Sequence, residues 1–246
     1  MPVIDLANPT RFLHVVNRVL PWLIAATLFL FVIGFYRVMG APDDYQQGAT
    51  VKIMFLHVPA AWLGMFGWGL MSVAALGTLV WRHPLADVAG KAAAPIGAAF
   101  TLICLVTGSL WGRPTWGTYW VWDARLTSML VLFLLYLGVL ALYWTAEDPG
   151  RGARAAAVLS LVGAVNLPII KFSVDWWNTL HQPASVFRMG GSSIDPALLT
   201  PLLIMAVAFT LLFLTLHLAV MRNEILRRRV RSMRLMQAQK LAEASA

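Results

Sequence analysis

The chain has 246 residues, of which 59% are hydrophobic and only 12% charged. A soluble domain of this length has no way to hide so much apolar surface, since globular proteins are about half apolar and about a quarter charged; the implied solvent is a bilayer. Most of the formal charge of +8 sits in the C-terminal tail, where topology and contact with membrane lipid explain it without any nucleic acid.

A bilayer-spanning helix takes about 20 mostly apolar residues. Six runs qualify: Leu20–Met39, Pro59–Val80, Ala92–Leu110, Leu126–Trp144, Ala155–Phe172 and Ala197–Met221. The first is too long for the core of a signal peptide and is read as a span. The chain is therefore expected to be an all-α integral membrane protein, with one six-helix membrane domain over residues 1–222 and a basic tail over 223–246. With both termini inside, 13 of the 19 Lys and Arg residues fall on the inner side and six on the outer, so the topology is expected to be N-in, C-in.

Taken along the chain, several element boundaries are legible. Val58-Pro59 places a proline in the first turn of the second span, with His57 at its mouth. If Thr115 caps a short interfacial helix, Trp116, Trp120 and Asp123 share one of its faces. Asp123 is placed to cap the fourth span, Pro168 to kink the fifth, and Asp195-Pro196 to start the sixth. The tail beyond Arg222 mixes arginines with Ile225, Leu226, Val230, Met233, Leu235 and Met236, the pattern of a basic amphipathic helix on the inner membrane surface.

Three outer loops, about 40–58, 111–125 and 173–196, carry the unusual chemistry. The middle one, Trp111-Gly-Arg-Pro-Thr-Trp116-Gly-Thr-Tyr-Trp120-Val-Trp122-Asp-Ala-Arg125, holds four tryptophans, more than an interfacial belt needs. Trp22, Trp81 and Trp144 are explained by such a belt. Of the five histidines, His14, His83 and His217 fall toward the inner side, while His57 and His181 share the outer side with the tryptophans. Imidazole is a common haem ligand, aromatic rings stack on a macrocycle, and Arg113, Arg125 or Arg188 would match propionates. Spacing alone leaves open that His57 and His181 are two unrelated loop residues. The single cysteine, Cys104, permits no disulfide within the chain, and no CxxCH is present to attach a c-type haem to this chain.

The segment from Trp111 to Ser128 resembles the WWD signature of the haem-handling membrane proteins of cytochrome c biogenesis. With Phe55-Leu-His57-Val-Pro-Ala-Ala-Trp62 and Leu180-His181-Gln-Pro183, and with six spans, the chain is similar to the short CcmC family of that group. The resemblance implies a bacterial inner-membrane protein with its WWD segment on the periplasmic side. It implies haem b held by His57 and His181 as axial ligands of the iron, beside Trp111, Trp116, Trp120, Trp122, Asp123 and Arg125. Its implied partners are the haem chaperone CcmE, the ABC-transporter subunits CcmA and CcmB, and the small membrane protein CcmD. It points to a haem-transfer protein rather than an enzyme, with promotion of covalent attachment to the chaperone as the one act that would make it catalytic. Two other classes compete: an electron-transfer cytochrome b and a transporter or permease subunit. Spans two to five carry no mid-span histidine for the first, and the spans are poor in the midplane polar groups of the second, Asn166 excepted.

Overall fold

A computed structural model describes residues 8–183, 185–186 and 188–244, which are helical apart from their connections; residues 1–7 and 245–246, the outer ends of the two expected units, lie outside them. The helices are α1 (Pro9–Met39), α2 (Met54–Leu79), α3 (Pro84–Trp116), α4 (Ala124–Thr145), α5 (Pro149–Gly163), α6 (Asn166–Trp176) and α7 (Pro196–Ala244), with a 3-10 turn at Ala49–Ile53 leading into α2. Taking that turn with α2, and α5 with α6, six helical segments are long and apolar enough to cross a membrane, and the chain is a multi-pass membrane protein.

The caps explain where the helices start. Asn8 Oδ1 accepts the Thr10 N–H at 2.9 Å and Pro9 supplies the first helical residue, so α1 begins well before its apolar run. His83 caps α3 through Nδ1, which accepts Leu85 N–H at 3.2 Å. Asp123 caps α4, accepting Leu126 N–H at 2.8 Å, and Asp195 accepts Ala197 N–H at 2.7 Å at the start of α7, both as expected. The second span departs from expectation: α2 begins at Met54, so Pro59 lies inside it and His57 sits in its first turn, not ahead of it. The fifth span breaks at residues 164 and 165, where Pro168 has no N–H for the carbonyl four residues back. Asn166 Nδ2 spans that break, donating to Ser128 O at 2.8 Å. The one polar residue that favoured a transport pathway is thereby occupied in joining α6 to α4.

With lipid tails as apolar as leucine, the helices are held by close packing and interhelical hydrogen bonds. The centre is Trp68 and Tyr136, both fully buried and packed edge-to-face at 4.8 Å. Trp68 Nε1 donates to Ser160 O at 3.0 Å, and Tyr136 Oη donates to Gly64 O at 2.8 Å, which ties α2 to α5 and to α4. α1 stands at the edge against α7, joined to it by the Thr27–Thr215 hydroxyl pair at 3.1 Å.

The expected surface helix at the tail does not separate from the sixth span. α7 runs unbroken through the 222/223 boundary for 49 residues, about 74 Å at 1.5 Å per residue. Its root packs Met221 and Ile225 on Leu13, Leu85 and Val88. Glu224 meets Lys91 at 3.1 Å and Arg228 meets Asp87 at 2.5 Å. These contacts hold α7 in line with α1 and α3, where a surface-lying tail needs a bend.

Candidate functional site

The end of the bundle opposite the termini gathers the start of α2, the last turns of α3, the segment before α4, and the chain after α6. His57 comes from α2. Its Nδ1 lies 3.1 Å from Cys104 O and 3.1 Å from Thr107 Oγ1, both on α3. Thr107 gives its own proton to Ile103 O at 2.6 Å, so both neighbours of His57 Nδ1 are acceptors. The proton is thereby assigned to Nδ1, and Nε2 keeps its lone pair. Trp111, one turn on from Thr107, sets its ring edge-on to His57 at 5.7 Å and is itself held by Nε1 donation to Gln47 Oε1 at 2.7 Å.

His181 is built the same way from different parts. Its Nδ1 lies 3.2 Å from Asp123 Oδ2, and its backbone N–H donates to Thr179 Oγ1 at 3.1 Å. Thr179 in turn donates its hydroxyl to the same Asp123 oxygen. Burial pushes the Asp123 carboxyl up, but hydrogen bonds from Leu126 N–H, Thr179 and His181 outweigh it and leave its pKa below the ordinary value. Burial lowers the pKa of His181, against the pull of Asp123, so the pair at neutral pH is a carboxylate accepting from a neutral imidazole. Nε2 of His181 is again the bare nitrogen. Trp116 packs edge-on to this ring at 4.8 Å. The last turns of α3 touch both sequence-distant imidazoles, His57 through Trp111 and His181 through Trp116.

The tryptophan-rich segment is not the interfacial helix expected from Thr115. Trp111 to Trp116 are the last turns of α3, and Thr115 Oγ1 bonds back to Trp111 O at 2.8 Å as an interior helical residue. Gly117 then takes φ 78°, which ends the helix with its N–H on Arg113 O at 3.0 Å. Residues after it are non-helical up to the Asp123 cap, so Trp116, Trp120 and Asp123 do not share a helical face. Trp120 and Trp122 pack edge-to-face at 5.5 Å; Trp122 is 75% exposed, while Trp120 Nε1 is buried with no partner among the described residues.

Of the expected arginines, Arg125 is already engaged. Its Nε donates to Ser173 Oγ at 3.1 Å and its guanidinium reaches the Ile170 and Lys171 carbonyls at 3.4 Å, which fastens α4 to the end of α6. Arg113 donates to Gly117 O and lies over the Tyr119 ring at 5.6 Å. Trp176 stacks on Phe172 at 5.4 Å and meets Trp177 at 5.7 Å. Sequence reading missed Thr107, Gly108, Thr179 and Ser173. Small polar residues carry little signal alone; only their spacing from the histidines and the tryptophans offers one.

The arrangement suits an iron macrocycle better than a bare metal ion. Among the described residues no three His, Cys, Asp or Glu side chains gather as a metal site. Two imidazoles anchored through Nδ1, an indole edge beside each, and one buried N–H without a partner among the described residues could hold a flat ligand with polar substituents.

A family model described as CcmC, Heme exporter protein C, matches residues 2–236. The chain is 75% identical over 245 residues to Heme exporter protein C of Bradyrhizobium diazoefficiens, covering 100% of this chain and 93% of the relative. It is 50% identical over 223 residues to the protein of that name in Escherichia coli K12, covering 90% of each. It is 45% identical over 231 residues to the one in Paracoccus denitrificans, covering 94% of this chain and 96% of the relative.

Proposed function

This chain belongs to the CcmC, Heme exporter protein C, family, and on that premise we propose that it takes part in haem export for cytochrome c biogenesis, holding haem b between His57 and His181 and passing it to the chaperone CcmE. The observation that carries this reading is the pair of imidazoles, each tethered through Nδ1 and each edged by a tryptophan of the WWD segment. The uneven division of Lys and Arg supports an N-in, C-in topology in the bacterial inner membrane, which puts this end of the bundle in the periplasm. CcmA, CcmB and CcmD are the partners the family implies.

The residues do four things in this reading. His57 and His181 would hold the haem iron, and two imidazole ligands would suit storage because they leave no open position for oxygen chemistry. Trp111 and Trp116 fix the planes of the two ligand rings. The Trp120 N–H, without a partner among the described residues, would be available to a polar substituent of the cargo, and exposed Trp122 would offer an apolar surface to the chaperone. Arg125 and Asp123 hold the segment to α6 and α4. The bond-making belongs to haem and chaperone; the chain supplies position and a low-polarity shelf.

The affinity-purified full chain is expected to show the visible spectrum of a six-coordinate, low-spin haem b. His57→Ala and His181→Ala are each expected to convert or remove that spectrum; an unchanged spectrum in both variants sinks the ligand assignment. For the hand-off, Trp122→Ala is expected to keep the parent spectrum and to reduce co-purification with haem-loaded CcmE about tenfold, as loss of an exposed aromatic anchor does at an interface. Parent-like co-purification and transfer would count against docking at this segment.

A further inference from the structure

The two histidines differ in what holds them, and the difference is chemical. His57 Nδ1 faces a backbone carbonyl and a hydroxyl, both neutral. His181 Nδ1 faces the carboxylate of Asp123, whose side chain is 5% exposed. The Asp123 carboxylate has three hydrogen-bond partners. Oδ1 accepts the Leu126 N–H at 2.8 Å and caps α4; Oδ2 accepts from Thr179 Oγ1 and from His181 Nδ1. Thr179 also receives the His181 backbone N–H at 3.1 Å, so the carboxylate, the hydroxyl and the imidazole close a small ring of bonds. One oxygen of Asp123 is thus committed to the fold and the other to the histidine.

We infer that Asp123 is the positioning residue of the site: through Oδ2 it fixes His181 in the tautomer with Nε2 free, and makes His181 a stronger iron donor than His57. A carboxylate behind a metal-bound imidazole raises its basicity and locks its plane, and removing such a partner typically costs about 10–100-fold in metal affinity. A carbonyl or hydroxyl does the second of these but much less of the first. The site is therefore asymmetric. Ferric iron is held chiefly from the His181 side, and His57 is the ligand that yields first when the cargo leaves. This inference rests on the reading that the two histidines ligate haem iron.

The test uses the full-length purified protein with its bound haem. Asp123→Asn keeps the cap, because asparagine caps helices as well as aspartate does, but it removes the charge behind His181. Loss of ferric haem to an excess of an apoprotein acceptor is expected to be about 10–100-fold faster than in the parent. The midpoint potential is expected to move positive, since the carboxylate favours the ferric state. Thr179→Val leaves the Asp123 cap in place and removes the hydroxyl that ties Oδ2 to the His181 backbone, so the carboxylate–imidazole bond loosens; it is expected to shift both readouts the same way, and it stands in if Asp123→Asn does not fold. Thr107→Val, beside His57, removes a neutral partner and is expected to shift the potential much less than Asp123→Asn does. Parent-like haem retention and potential in Asp123→Asn, or in Thr179→Val where that must serve, overturn the inference, as does a Thr107→Val shift as large as that of Asp123→Asn. If His181→Ala leaves the spectrum unchanged, the ligand assignment itself fails; if His181→Ala alters it and Asp123→Asn does nothing, only the positioning role fails.

Discussion

Gly108→Ala is expected to strip the protein of haem while leaving the bundle folded. A Cβ on Gly108 would sit 2.9 Å from His57 Cε1, closer than real Cβ atoms come, and 3.4 Å from its Nδ1. The ring cannot swing aside cheaply, because Nδ1 is fastened to Cys104 O and Thr107 Oγ1 on the same helix face and Trp111 stands at its edge. The imidazole must leave those acceptors or lose its aim toward the iron. The backbone change itself is favourable, since alanine is about 1 kcal/mol better than glycine in a helix interior. Haem content after purification should fall about tenfold or more, in line with the loss of a ligand's supporting contacts, while a cooperative thermal transition is kept. Parent-like haem content in Gly108→Ala would show that His57 tolerates displacement and is not a ligand held in place by this face of α3.

Much of the fold was legible because bilayer chemistry leaves few options for the backbone. Six apolar runs became six spans, and the caps at Asp123 and Asp195 were readable from residue type and position. Reading failed where a local rule had a stronger competitor. Pro59 suggested a helix start, yet the 3-10 turn at Ala49–Ile53 already winds the chain and carries the helix through the proline. Thr115 suggested a new helix, yet α3 simply continues past the apolar run until Gly117 ends it at positive φ. The tail suggested a surface helix by composition, and ion pairs with Asp87 and Lys91, invisible in a one-dimensional pattern, keep it on the axis of α7.

The same limit applies to the site. Tryptophan density and the sidedness of the histidines marked His57 and His181, because those residue types are rare and conspicuous. The groups that make them usable are ordinary: a carbonyl of Cys104, two threonines, a glycine. Arg125 shows the converse. Its residue type suggested a propionate partner, but the α6 carbonyls and Ser173 reach it first, and its contribution is to hold α4 and α6 together behind the site. Chemistry-bearing residue types thus pointed to the candidate site, while the supporting contacts depended on which ordinary groups stood next to each histidine.

Gly97→Ala should do the opposite of Gly108→Ala, unfolding the bundle and losing haem only as a consequence. Gly97 on α3 lies directly against the phenol of Tyr136, whose Oη and ring carbons occupy the space a Cβ would need. Tyr136 is trapped: fully buried, edge-on to Trp68 at 4.8 Å, and hydrogen-bonded to Gly64 O at 2.8 Å. Accommodating one methyl means moving α3 off α4 or driving the phenol from its bond. Overpacking costs about 1–3 kcal/mol, and a buried hydroxyl and carbonyl left unpaired cost about 1–3 kcal/mol more, against the gain of about 1 kcal/mol in helix propensity. The net loss of about 1–5 kcal/mol is a large part of the stability of a marginally stable protein. Reversible unfolding in mixed micelles measures it, and a second mutation identifies its source. In a Tyr136→Ala background the cavity accepts the new methyl, so Gly97→Ala is expected to cost less than about 1 kcal/mol there, a strong departure from additivity. Equal costs in the two backgrounds would place the strain elsewhere on α3, and would remove the Gly97–Tyr136 contact as the joint on which α2, α3 and α4 are registered beneath the histidines.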